Sequence, residues 1–209
     1  MNNEKLGCLF SVSAPSGCGK DTVLKKLFEI APELKFSISC TSRPERDPSD
    51  REKYHLVSRE KFENMIKNGE LLEYNEYNGN FYGTPKAPVE EWINNGYDVV
   101  LEIDTNGAAN VRREMPQSIA IFIMPPSFGV LKERLEGRGT ETAEQIKNRL
   151  MIARDELKRA SDYDYICINE DITKCAEDIL TIIKAQAFTK NNMRKFTEEV
   201  EKDAESFNC

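Results

Sequence analysis

The chain has 209 residues, 39% hydrophobic and 31% charged, which is enough for one large α/β domain with an ordinary core. A net charge of −7 argues against a general nucleic-acid or membrane-surface binder, while leaving room for a local arginine cluster around a small anion. One histidine and six cysteines without a C-x-x-C pair argue against a structural zinc site, and the cysteines read as thiols of a reducing compartment.

In chain order, CLFSVS (8–13) is rich in β-formers. A Gly/Pro/Ser turn follows, and then DTVLKKLFEI, where Val23, Leu24, Leu27 and Phe28 recur at helical spacing. Between 36 and 88 the texture changes. FSISC, YHLV, LLEYNEY and NFYGT are strand-like with polar and aromatic residues interleaved, and the helical REKFENMIKNGE lies among them. This predicts an inserted mixed α+β subdomain over 37–88. DVVLEID (98–104), IAIFIM (119–124) and YICIN (165–169) are short buried-type strands, each followed by a helical stretch, roughly 105–113, 127–136 and 171–187. Such alternation predicts a parallel sheet covered on both faces. Gly-rich, charged EGRGTETAEQ suits a mobile lid, placed at 136–149 between core segments 6–36, 89–135 and 150–188. Residues 189–209 read as a polar tail, a frayed helix or disordered. With no signal-peptide apolar region and no membrane-length apolar run, a cytoplasmic protein is expected.

Strand, glycine loop, helix is the setting of a phosphate-binding loop, yet SAPSGCGKDT departs from G-x-x-x-x-G-K-[ST] at both ends, with Ala14 for the first glycine and Asp21 after the lysine. Gly17 and Gly19 let backbone N–H groups approach an anion before a helix N-terminus, and Lys20 supplies a point charge. A tight strand-to-helix turn would leave both glycines and the lysine unexplained. Cys18 reads as a small loop side chain, with a reactive thiol at the helix start as the alternative. In SCTSRPER, Arg43 and Arg46 beside Ser39, Thr41 and Ser42 can grip a phosphate, though an isolated R-x-x-R is more often a solvated loop. Tyr54 and Tyr82 add phenolic donors. Glu73 can accept from the N1–H and N2–H₂ edge of guanine, or be an ordinary strand glutamate. Asp104 ends a strand where a carboxylate can orient Mg²⁺ water or substrate. Arg134, Arg138 and Arg149 supply cations for phosphoryl transfer, or surface charge.

SAPSGCGK, SRPER, YHLVSREKFENMI, GELLEY, GNFYGTPKAPVEE, LEIDTNGAANVRR, FIMPPS, RLEGRGTET and INED occur in this order over nearly all of 7–185, and together they resemble the guanylate kinase family. The resemblance implies a P-loop kinase fold with a parallel core sheet, a GMP-binding subdomain and a lid. It implies transfer of a phosphoryl group from ATP to GMP with Mg²⁺; dGMP is expected as a further acceptor, since no residue named here reads the 2′-hydroxyl. By resemblance, Ala14, Pro15, Ser16, Gly17, Cys18, Gly19, Lys20, Asp21, Thr22 and Asn169 form the ATP site. Ser39, Glu73, Thr84 and Asp104 surround guanine, while Arg43, Arg46, Tyr54 and Tyr82 hold the GMP phosphate. Arg134, Arg138 and Arg149 close over the transferring group, with Lys20, Arg43 and Asp104 completing the catalytic set.

Alanine at position 14 is common in the family, and Thr22 stands where related kinases place the hydroxyl. Asp21 remains a departure, directed to solvent or joined with Thr22 in the metal shell. RPERDPSDREKY is one residue short of the family pattern, so Ser49 to Glu52 cannot be aligned. His55 is structural by the same comparison. No nucleic-acid or membrane partner is expected, and the chain is a monomer or homodimer. A kinase-like binding module that has kept the fold is the alternative reading, with intact Lys20 and arginines against it.

Overall fold

Leu9, Phe10 and Val12 favour extended backbone. In the structure, a computed structural model that describes residues 6–207 other than 78, 138 and 140, they lie in the strand β1 (Leu9–Ser13). Its residues are buried on both faces. The loop after it opens into α1 (Lys20–Ile30), and the chain adds β2 (Lys35–Phe36). A second unit follows, made of β3 (Ser39–Thr41), α2 (Asp50–Lys53), β4 (Tyr54–Leu56), α3 (Arg59–Lys67), β5 (Leu71–Tyr77) and β6 (Asn80–Pro85). The chain returns through α4 (Lys86–Asn94), β7 (Val99–Glu102), α5 (Thr105–Glu114) and β8 (Ile119–Met124). It finishes with α6 (Phe128–Glu136), α7 (Ala143–Leu157), a 3₁₀ turn at Lys158–Asp162, β9 (Tyr165–Ile168), α8 (Ile172–Ala185) and α9 (Arg194–Ser206).

The core sheet has strand order β2-β7-β1-β8-β9 and is wholly parallel. Val12 lies opposite Glu102, so the loop after β1 and the turn after β7 leave the same edge of the sheet side by side. One face buries Phe10, Val12, Val100, Ile121 and Ile123 with Val23, Leu24 and Leu27 of α1 and Ile179 and Ile183 of α8. The other buries Leu9, Val99, Leu101 and Ile103 with Val89 of α4 and Ala108 and Val111 of α5. Each fully buried Leu, Ile or Phe contributes roughly 1.5–3 kcal/mol, so these faces hold the strand ends rigidly.

The second sheet, order β4-β3-β6-β5, pairs β3 with β4 in parallel and the rest antiparallel, over a small core of Cys40, Phe62 and Met65. The expected single strand FSISC is divided: Lys35–Phe36 pair with β7, whereas Ser39–Thr41 pair with β4 and β6. The chain passes from one sheet to the other there, and Ser37 N–H makes the last bond to the core, on Val100 O. One further element was not expected. Helix α4 begins directly after Pro85, with Pro88 in its first turn, where no amide donor is needed. Residues 194–206 form a helix with an Arg194–Glu198 ion pair one turn apart, the helical one of the two expectations for this tail. Helix α7 starts at Ala143 with a capping box between Thr142 and Gln145, so the second half of the Gly-rich lid segment is helical.

Candidate active site

The loop between β1 and α1 is shaped by two glycines with left-handed backbone, Gly17 at φ +87° and Gly19 at φ +89°. A side chain at Gly17 would also meet Leu135 at 2.6 Å. Gly19 caps α1 without a side-chain acceptor, which leaves the positive end of the helix open to an anion. Cys18 N–H turns back to Pro15 O, and Cys18 O accepts from Asn169 Nδ2 at 2.7 Å and from the Arg134 guanidinium at 3.2 Å. Arg134 also donates to Asn169 O at 2.9 Å. Together Arg134 and Asn169 brace the loop from the β9–α8 side. A cavity of about 370 Å³ lined by Gly17, Gly19, Thr22, Arg134 and Asn169 opens there.

Lys20 crosses to the end of β7. Its Nζ lies 3.4 Å from Glu102 Oε1 and 3.5 Å from Ile103 O. Burial pushes the Glu102 carboxyl up; Lys20 pulls it down and hydrogen-bonded Asp21 pushes it up again, leaving it raised. Asp21 and Thr22 are exposed on the first turn of α1.

A second cavity, about 380 Å³, lies on the other side of Glu102 and is lined by Ser39, Tyr54, Glu73, Asn75, Tyr82 and Asp104 among others. Glu73 is buried at its base and accepts from Thr84 Oγ1 at 2.7 Å. Burial raises its carboxyl to about 7, opposed by the Thr84 bond and assisted by Asp104. Asp104 caps α5 through Gly107 N–H at 2.7 Å and accepts from Asn75 Nδ2 at 3.2 Å. A larger open cavity, about 730 Å³, shares Tyr54 with this site and contains no residue of the phosphate loop; His55 lines it, exposed.

Arg43 is buried and held as a fork on Asp50, at 3.0 and 2.7 Å, with Arg46 N–H on the same carboxylate at 2.8 Å. That bonding holds Asp50 well below the usual carboxylate range. The Arg43 guanidinium lies 5.7 Å from the Tyr54 ring centre, and Tyr54 packs edge-on against Tyr82. The Arg46 residue is exposed. From α7, Arg149 donates to Ser16 Oγ at 2.9 Å and pairs with Glu141. Arg138 lies outside the described residues.

A guanylate kinase family model matches residues 9–186. The chain is 43% identical to the guanylate kinase of Oceanobacillus iheyensis over 204 residues, 97% of this chain and 98% of that protein. It is also 43% identical to that of Clostridioides difficile over 193 residues, 92% and 93% of the two chains. The chain belongs to the guanylate kinase family. The crystal structure of guanylate kinase from Anaplasma phagocytophilum superposes with a TM-score of 0.75 at 32% identity, covering 93% of this chain and 95% of that one.

Within this guanylate kinase fold Gly17, Gly19, Thr22 and Asn169, expected around an ATP group, line one cavity; Ser39, Glu73 and Asp104, expected around guanine, line another, and Lys20 contacts Glu102 in the lining of the second. Four contributors were not anticipated from the sequence. Glu102 had a signal, since it stands two residues before Asp104 in the predicted strand DVVLEID, where alternate residues share a face. Asn75, two residues after Glu73, had the same signal. Asp50 fell in the segment that could not be aligned, and Glu156, whose Oε2 accepts Ser16 N–H at 2.8 Å, lies 140 residues from its partner. Cys18 is buried, and desolvation raises its thiol to about 12, so it is the small structural side chain and not an activated nucleophile.

Proposed function

We propose that the protein transfers the γ-phosphoryl group of ATP to GMP, and to dGMP, forming ADP and the nucleoside diphosphate. The observation that carries this reading is the Lys20–Glu102 contact between an anion-binding loop and a cavity floored by Glu73. Two phosphates meeting across Lys20 would lie between the two cavities. The loop supplies N–H donors and Lys20 the charge for the donor phosphates, with Asn169 toward adenine. Glu73 offers two acceptor oxygens to the guanine edge that presents two donors, with Thr84, Ser39 and Asp104 around it. Arg43, Arg46, Tyr54 and Tyr82 take the GMP phosphate, Arg43 being kept charged and aimed by Asp50.

No base is required, because the GMP phosphate dianion is itself the nucleophile. The protein aligns the reactants, excludes water and neutralises charge. Arg149 approaches from α7, and closure of residues 136–149 and of residues 37–88 completes the site. Mg²⁺ takes oxygen ligands, commonly one or two carboxylates together with substrate phosphates. The oxygens beside Lys20 fit that need: Asp21 and Glu102 share a hydrogen bond, and Thr22 lines the loop cavity. Asp21 and Thr22 would hold the ion, which when bound offsets charge on the phosphates.

No described helix is long and apolar enough to cross a membrane, and the five described cysteines form no disulfide. Both fit a cytoplasmic enzyme. A coupled assay of ADP release with GMP, dGMP, AMP, CMP and UMP tests the function. Turnover with GMP and dGMP, abolished in Lys20→Ala, is expected. A folded protein that binds GMP without turnover would return the binding-module reading.

A further inference from the structure

Ser16 is held twice by one helix. Its N–H donates to Glu156 Oε2 at 2.8 Å, and its Oγ accepts from Arg149 Nε at 2.9 Å. Glu156 and Arg149 are seven residues apart on α7, two turns, and so project from the same face. The remaining loop donors differ. Among the described residues, the N–H groups of Gly17, Gly19, Lys20 and Asp21 meet no acceptor, and Cys18 N–H closes the internal turn on Pro15. The loop therefore has one amide committed to a distant carboxylate and a set left for an anion.

That carboxylate is costly where it stands. Glu156 is half-buried and feels Asp104 from the α5 turn, against the attraction of Lys20 and Arg149. A second negative charge close to incoming phosphates opposes their binding, so its presence calls for a compensating role. The backbone supplies one. Gly17 and Gly19 give the loop freedom that must be removed before its amides converge on a phosphate. Arg134 and Asn169 fix the Cys18 end; the Ser16 end is fixed by α7.

We propose that Glu156 is a positioning residue for the phosphoryl donor, tying Ser16 to α7 so that the phosphate loop and the helix carrying Arg149 move as one piece. The inference rests on the loop being the ATP site. Arg149 can then leave Ser16 Oγ for the transferring group while Glu156 keeps the loop in register.

ATP titration of the full-length protein by calorimetry, without GMP, reads the tie directly, and steady-state KM values for ATP and GMP read its consequence. Glu156→Ala is expected to weaken ATP binding and raise the ATP KM about tenfold, the scale of one lost charged hydrogen bond, with the GMP KM held within about twofold. Glu156→Gln keeps a carbonyl acceptor and is expected to retain ATP affinity within about threefold. Should Glu156→Ala fail to fold, Glu156→Asp, one methylene short of Ser16, is expected to show the same loss. Unchanged ATP affinity in these variants overturns the proposal. So does Glu156→Gln as weak as Glu156→Ala, which would make charge and not the Ser16 bond the cause. A wild-type protein that binds ATP but does not phosphorylate GMP would refute the kinase reading and leave this titration informative.

Discussion

Thr84 Oγ1 donates to Glu73 Oε1 at 2.7 Å across directly paired strands β6 and β5, and Gly107 of α5 closes over the other carboxylate oxygen. The Thr84 hydroxyl and backbone N–H are a modest return for burying a carboxylate, and burial raises the carboxyl to about 7. In the unfolded chain a glutamate titrates near 4.5, the value from which this shift is measured. Between those two pH values the folded protein holds a proton that the unfolded chain has released.

Stability therefore falls as pH rises from about 4.5 to about 7 and levels off above, by about 3 kcal/mol from this group. The measurement is urea unfolding of the wild type and Glu73→Gln at pH 5 and pH 8. The wild type is expected to lose about 2–3 kcal/mol more than the variant across that interval. Parallel pH dependences would show that Glu73 does not carry the shift.

Gly107→Ala probes the same carboxylate from the helix side. An added Cβ would stand 2.9 Å from Glu73 Oε2 and 3.2 Å from Ile103 Cβ. Alanine in the helix favours folding by about 1 kcal/mol, which offsets part of the clash. The carboxylate must then shift, with its Thr84 bond. The expected outcome is a GMP KM raised about tenfold, an ATP KM unchanged and a small change in Tm, since the added Cβ meets Glu73 and Ile103 and no residue of the phosphate loop. Equal losses for both nucleotides would point to general disruption.

Asp21→Ser restores a hydroxyl next to Lys20 and removes a negative charge beside Glu102. Since Asp21 is exposed and pushes the Glu102 carboxyl up, the variant relieves repulsion. Its kcat is expected to stay within about threefold of wild type or to rise, because serine at this position can also serve a Mg²⁺-bound phosphate. A loss of two orders of magnitude, partly recovered at high Mg²⁺, would instead make Asp21 an indispensable metal ligand.

The sequence by itself determined the parts that neighbouring residues encode. Alternating apolar strands and helices predicted the parallel core. Gly17, Gly19 and Lys20 between a strand and a helix announced the loop, and the ordered run of motifs placed Glu73 and Asp104 in one site. The first two follow from period and turn chemistry, which a linear chain carries in full, and the third from the resemblance to the guanylate kinase family. Tertiary structure alone decided the rest. Strand order placed β1 between β7 and β8, and only that register lays Lys20 against Glu102. The division of FSISC depends on which sheet edge each residue reaches, a choice its β-propensity does not make. Asp50 gripping Arg43 and Glu156 holding Ser16 are pairings of opposite groups brought together by packing. The thiol of Cys18 was decided in the same way: a helix N-terminus favours thiolate, but burial against Ile123 outweighs it, and burial is a property of the folded chain.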